Sequence, residues 1–151
     1  MTVTVRDLRE RDRAAIARID ARHTGAPKKE YWAEVLSRFV RPAAREAGCV
    51  GLAADSRGEL VGYLLGEVRA FEFGSEACGW VFAVGVDADR VREGIAGALL
   101  REAVARFRAL GISKVRTMVR RNDVPVLSFF RSAGFVGGGF VQLELDLEEA
   151  R

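Results

Sequence analysis

A chain of 151 residues with 49% hydrophobic and 30% charged side chains has the composition of one globular domain with its own core, not of a disordered or disulfide-stapled chain. Its net charge of +3 comes from 24 basic and 21 acidic side chains interleaved along the sequence, which describes a mixed solvated surface and not a nucleic-acid footprint. No apolar run approaches the roughly 20 residues that span a bilayer, the N-terminus carries no apolar leader core, and a lone His23 with separated Cys49 and Cys78 offers no metal-ligand spacing. The expectation is a cytoplasmic protein of one domain over residues 1–151, with packed, reduced thiols, no metal, no membrane contact and no nucleic-acid partner.

Val3 and Val5 alternate with threonines in a short first strand ending at Asp7. From Arg9 to Arg22, Ala14, Ala15, Ile16 and Ile19 form a narrow apolar face in a field of charge, the pattern of an exposed helix. Thr24-Gly25-Ala26-Pro27 breaks it, and Tyr31, Trp32, Val35, Leu36 and Phe39 recur at helical spacing before Pro42. Tyr31 and Trp32 read as core aromatics, with a substrate pocket as the lesser alternative. Cys49–Asp55 and Leu60–Phe71 are extended runs separated by Ser56-Arg57-Gly58-Glu59, a hairpin turn. A loop from Glu72 to Glu76 leads to the unbroken apolar run 80–86, Trp-Val-Phe-Ala-Val-Gly-Val, which reads as a strand buried on both faces. A helix follows, its stripe of Ile95, Leu99, Ala103, Phe107 and Leu110 ending at Gly111 in the position of a C′ glycine. Lys114–Val119 reads as a strand, Asp123–Ala133 as a helix, and Val136–Leu147 as a last strand interrupted by Gly137-Gly138-Gly139.

The stretch from Trp80 to Leu110 organises the rest. Strand, tight turn, glycine and helix aim free backbone N–H groups and the positive end of a helix dipole at one small volume, which suits a phosphate. No Gly-Lys-Ser/Thr closes the turn, and it lacks the Gly-x-Gly-x-x-Gly pattern, so an ATP or NAD site is disfavoured.

The turn resembles the pyrophosphate-binding loop of the GNAT superfamily of N-acetyltransferases, Arg/Gln-x-x-Gly-x-Gly/Ala after a strand ending in an apolar triplet. Val84-Gly85-Val86 matches the triplet, Gly94-Ile95-Ala96 the second half of the loop, and Gly97-Ala98-Leu99-Leu100 the helix start. Asn122, Phe129, Phe130, Gly134 and Phe135 fall at the spacing of the family's C-terminal motif. Two positions depart from the pattern. Val91 stands where the family has Arg or Gln, followed by Arg92 and Glu93, and neighbouring Arg90 and Arg92 are candidates to supply the missing charge. Phe130 stands where many members carry a tyrosine that protonates the departing thiolate.

The resemblance implies an α/β (α+β) fold, β-α-α-β-β-β-α-β-α-β around one mostly antiparallel sheet, with acetyl-CoA as acyl donor and no metal. Val84, Gly85 and Val86, the loop residues Val91, Arg92, Glu93, Gly94, Ile95, Ala96 and Gly97, and Asn122 and Phe129 would hold that donor, with a bulge near Gly85 splaying the strand. Asn122 has the alternative of capping the following helix, a role for which Asp123 competes. Glu67 and Glu72, with Glu76 behind them, are the acids best placed to deprotonate an amine or attract a cationic acceptor. The implied activity is acetyl transfer to a primary amine of a small molecule or protein by direct attack on the thioester. A non-catalytic acyl-CoA-binding module, motivated by Phe130, and a nucleotide-binding α/β module are the rival readings. The acceptor stays unnamed, and a homodimer through an exposed terminal strand stays open.

Overall fold

The sheet grows from a hairpin. Arg57 and Gly58 both take positive φ, 55° and 87°, the pair of left-handed residues that a two-residue turn needs to match strand twist. They join β2 (Cys49–Ser56) to β3 (Glu59–Arg69). Strand β1 (Thr4–Asp7) pairs antiparallel with β2, and β4 (Cys78–Val86) antiparallel with β3. Strand β5 (Val115–Arg116) pairs parallel with β4, which gives a mixed sheet in the order β1-β2-β3-β4-β5. This computed structural model describes residues 2–71 and 73–148. The chain forms two units, Met1–Met118 and Val119–Arg151.

Within the first unit, α1 (Arg13–Thr24) and α2 (Lys29–Val40) cover one face of the sheet. Ile16, Ile19, Trp32, Leu36 and Phe39 pack there on Tyr63 and Leu65. Helix α3 (Ile95–Ala109) covers the opposite face with Leu99, Ala103 and Phe107, all fully buried. It ends as its sequence predicts, with Gly111 at φ 80° and its N–H donating to the Arg108 carbonyl at 3.0 Å. Phe107 lies against strand backbone. A Cβ on Gly79 would sit 2.6 Å from its ring and one on Gly66 3.0 Å from it, so only glycine lets the helix approach this closely.

One charged cluster ties the N-terminal segments together. Arg6 on β1 bonds both oxygens of Asp12 at 2.8 and 2.9 Å and the Asp55 carboxylate on β2 at 2.8 Å. Asp12 also accepts from the Arg9 N–H at 2.7 Å, capping a short 3-10 turn, Glu10–Asp12, that delays the first helix from its predicted start at Arg9 to Arg13. Burial pushes Asp12 up, but the Arg6 and Arg9 hydrogen bonds outweigh it and hold the carboxyl below the usual range. Asp55 is likewise held low, first by its bond from Arg6.

The second unit holds α4 (Val124–Ser132), started by the Asp123 side chain accepting from the Val126 N–H at 3.3 Å. Three expectations need correction. Residues 136–147 contain no strand: Gly137, Gly138 and Gly139 have no side chain to pack, and Val136, Val141, Leu143 and Leu147 are each more than 80% exposed. Strand β5 has two residues where 114–119 was predicted. Strand β4 is not buried on both faces throughout, since Trp80, Phe82, Ala83, Val84 and Val86 are half-buried.

Replacing Arg6 by alanine leaves Asp12, 3% exposed, as a buried charge without its partner, and should lower the unfolding free energy by about 3–5 kcal/mol in urea titration. Because Asp12 and Asp55 titrate below their unfolded value of about 3.9, their contribution is present above that pH and is lost as pH falls through the folded values. Arg6 stays protonated throughout and adds no slope. Wild type should therefore lose stability below about pH 4 faster than Arg6→Ala does. Gly79→Ala should cost about 1–3 kcal/mol by overpacking against Phe107, and Phe107→Leu in the same chain should return part of it, read as thermal midpoints.

Candidate active site

Strand β4 carries an extra residue. Leu65 pairs with Ala83 and Gly66 with Val81, so Phe82 is left without a partner on β3 and forms a bulge. The consequence is a switch of parity along the strand. Before the bulge, Gly79 and Val81 face α3; after it, Ala83 and Gly85 face α1 and α2, and consecutive Phe82 and Ala83 both pack on that side. A bulge was expected near Gly85 and lies three residues earlier. At Gly85 the strand does something else: it makes room for Tyr63, whose ring would lie 2.5 Å from any Cβ there.

At the same place β5 leaves. It pairs with β4 only at Gly79 and Trp80, and Thr117 then donates its hydroxyl to the Val81 carbonyl at 2.8 Å. From Phe82 to Val86 the outer edge of β4 has no strand partner among the described residues, which presents main-chain donors and acceptors along the edge. The carbonyl of Val86 is engaged by His23 Nε2 at 2.8 Å, and Arg22 reaches Asp87 and Asp89 just beyond, so the end of α1 is fastened to the end of β4.

The loop after β4 opens into α3. Arg92 takes φ 70° and Gly94 φ 77°, and Gly94 is the N-cap of α3 with no side chain capping the helix and no acid in its first turn. A Cβ on Gly94 would meet nothing within 4 Å, and no side chain caps the first-turn N–H groups of the helix. Ile95 is buried beneath the loop against Gly62, anchoring the helix start, while Val91, Arg92, Glu93 and Gly94 are exposed and Ala96 and Gly97 half-buried. Arg90, a candidate for the charge missing at Val91, is engaged within the loop. Its guanidinium is bonded to both oxygens of Glu93, at 2.8 and 3.0 Å, and this pairing holds Glu93 below the usual carboxylate range. The residues fit an anionic diphosphate held by backbone N–H groups and helix dipole.

On the α2 face a cleft of about 410 Å³ is lined by Tyr31, Glu34 and Arg38 of α2, Glu67 and Arg69 of β3, and Trp80 and Phe82 of β4. Glu67 is the deep charge, its side chain 15% exposed, with Arg69 on Oε1 at 3.1 Å and Arg38 on Oε2 at 3.4 Å; the two guanidiniums are half exposed at the rim. Glu67 also pairs across the sheet with half-buried Cys49, whose thiol is pushed up by burial and then by the Glu67 charge. The aromatic pair expected to fill the core divides: Trp32 is buried, and its indole N–H donates to Asp20 at 3.1 Å, whereas Tyr31 is 47% exposed on the cleft.

Val84, Gly85 and Val86, the loop from Val91 to Gly97, and Glu67 thus share the first unit. Glu72 lies outside the described residues, and Glu76 is exposed. Asn122 and Phe129 belong to the second unit: Asn122 is exposed, and Asp123 takes the capping role. Phe130 packs edge-on between Phe129 and Phe135, at centroid distances of 5.0 and 5.1 Å. Sequence reading missed Arg38, Arg69, Trp80 and Phe82 as cleft residues. The i, i+3, i+7 spacing of Tyr31, Glu34 and Arg38 carried a signal of a shared face, but nothing in it said what that face meets.

A family model for the acetyltransferase (GNAT) family matches residues 10–135. No curated protein sequence matches the chain. Among solved structures it is similar to a ribosomal-protein-alanine N-acetyltransferase from Brucella melitensis biovar Abortus, at 18% identity, 97% and 100% coverage of the two chains and TM-score 0.74. It is also similar to a PaiA N-acetyltransferase from Thermoplasma acidophilum in complex with coenzyme A, at 19% identity, 90% and 91% coverage and TM-score 0.72. A Trypanosoma brucei acetyltransferase is 24% identical over 97% and 100% of the chains, with TM-score 0.71. Over most of its length, residues 10–135, the chain belongs to the GNAT family of acetyltransferases.

Proposed function

We propose that the chain transfers the acetyl group of acetyl-CoA to a primary amine by direct attack on the thioester. The observation that carries this reading is the opening of Gly94 and the uncapped start of α3 at the end of a strand edge left without a partner beyond Phe82. Acetyl-CoA supplies the acetyl group as a thioester. The first-turn N–H groups of α3 would hold its diphosphate, and the β4 edge from Phe82 to Val86 would hydrogen-bond its amide-bearing arm.

In the overall reaction the amine nitrogen forms a bond to the acetyl carbon, the carbon–sulfur bond breaks, and the pair of electrons leaves on sulfur. A primary ammonium gives up two protons; one ends on the thiol and one in solvent. Bringing a lysine-like amine of pKa ~10.4 to its neutral form at pH 7 costs about 4.6 kcal/mol, which gives a nearby base something to do. Glu67 shares the cleft with Phe82, and its carboxylate is the acceptor for the amine proton, directly or through water. Phe130 has no proton to give, but a thiol of pKa ~8.5 departs as thiolate without a donor, so its phenyl ring does not forbid turnover.

Isothermal titration should show micromolar acetyl-CoA binding with no comparable affinity for ATP or NAD. Gly94→Val places a branched side chain in the open space before α3 and should weaken acetyl-CoA binding at least tenfold, at an αL cost of about 1–2 kcal/mol in stability. Glu67→Gln should lower kcat/KM at pH 7 by about 100-fold with acetyl-CoA affinity retained. Tight acetyl-CoA binding without acetylation of any amine in a broad panel would replace this reading with that of a non-catalytic acyl-CoA-binding module.

A further inference from the structure

Resting on the acetyl-transfer reading, we infer that the acceptor is a free α-amino acid with an apolar or aromatic side chain, bound in the cleft between α2 and strands β3 and β4. The lining brings two guanidiniums, Arg38 and Arg69, and two carboxylates, Glu34 and Glu67, so its charged side chains sum to zero. A polyamine or aminoglycoside brings several cations and would meet guanidiniums at the rim with no surplus of acid to offset them. A zwitterion brings one charge of each sign.

The depths of the charges match that choice. Glu67 is the more buried charge at 15% side-chain exposure, and the side chains of Arg38 and Arg69 that bond it are half exposed, at 48% and 50%. Each guanidinium has five N–H donors, while Glu67 is one carboxylate shared by two such groups, at 3.4 and 3.1 Å. Glu34, the other lining carboxylate, makes no ion pair with either arginine, so donors are in excess at the rim, and a ligand carboxylate is a group that takes them, in the bidentate manner that arginine favours. An α-amino acid carries its ammonium and carboxylate on one carbon. Its ammonium can thus reach Glu67 while its carboxylate stays within reach of the arginines that already touch Glu67.

The remaining walls are apolar. Trp80 and Phe82 of β4 and the half-exposed Tyr31 give the side chain of the acceptor aromatic faces to pack on, with Val35 also lining the cleft. Phe82 is the bulged residue where the free edge of β4 begins, so the cleft adjoins the strand edge from which acetyl would be delivered. Acetylation removes the positive charge of the ammonium. Glu67 then keeps only its two arginines, and the product loses the contact that held its amine end, which favours release.

The test compares phenylalanine, phenylalanine amide and 2-phenylethylamine as acceptors for the full chain with acetyl-CoA. The three share the aromatic body and a primary amine and differ in the carboxylate. Phenylalanine should exceed both others in kcat/KM by at least tenfold. In Arg38→Met and Arg69→Met, KM for phenylalanine should rise at least tenfold with kcat changed much less, and the preference over the amide should shrink to within threefold. Acetyl-CoA affinity in both variants should match wild type, which shows that they fold. Equal or faster acetylation of the amide or the amine overturns the amino-acid assignment and leaves amine acetylation standing. Acetyl-CoA binding with no acetylation of phenylalanine also overturns it. Absence of acetyl-CoA binding overturns the transfer reading itself.

Discussion

A single unpaired residue, Phe82, sets the geometry on which the candidate site depends. One extra residue in a strand reverses which side chains face which layer, so the same strand serves two packing schemes in sequence. Up to Val81, the small and branched residues meet α3, and Trp80 is left for the cleft. Beyond Ala83, Gly85 turns to the α1 and α2 layer and admits Tyr63 against bare backbone, with its phenol kept protonated by burial. Without the bulge, parity would continue, and Gly85 would face α3 while Val84 collided with Tyr63. The departure of β5 after Trp80 completes the arrangement, because a bulged, more strongly twisted strand cannot keep a straight neighbour in register.

Charge does two different jobs in the first unit. Around Arg6 it is buried and fully engaged, joining β1, the 3-10 turn and β2 through Asp12 and Asp55, where loss of one partner strands the others. In the cleft it is half exposed and unevenly shared, with two arginines on one glutamate. The first arrangement resists change and the second invites a ligand. Between them, the end of α1 is fixed to the end of β4 by His23 and Arg22, so the helix that closes the core also steadies the entrance to the loop.

Most elements were legible because each carried its own punctuation. Gly58 in the hairpin, Gly25 after α1, Gly111 after α3 and Asp123 before α4 take the conformations or bonds their residue types favour. The resemblance of Val84–Val86 and Gly94–Gly97 to the family's loop was likewise readable, since backbone geometry and not side-chain identity makes that motif. What the sequence did not show was tertiary. The bulge depends on registry with β3, the division of Tyr31 from Trp32 on which way α2 rolls against the sheet, and the cleft on Arg38 and Arg69 meeting across two elements. Residues 141–147 misled in the opposite sense: strict alternation of apolar and polar residues is the alphabet of a strand, but a ladder needs a second strand, and pattern alone cannot supply one.

The seating of Phe107 on Gly66 and Gly79 bears on how such a sheet can change over evolutionary time. In an ordinary core contact, two side chains share the volume, and a gain on one can be balanced by a loss on the other. Here the strands contribute only peptide planes, so all of the adjustable volume belongs to the helix. With phenylalanine at 107, any Cβ at 79 meets its ring, so a side chain there carries an overpacking cost until the ring is made smaller. Relief comes from the helix side, where a smaller residue at 107 trades the clash for a void.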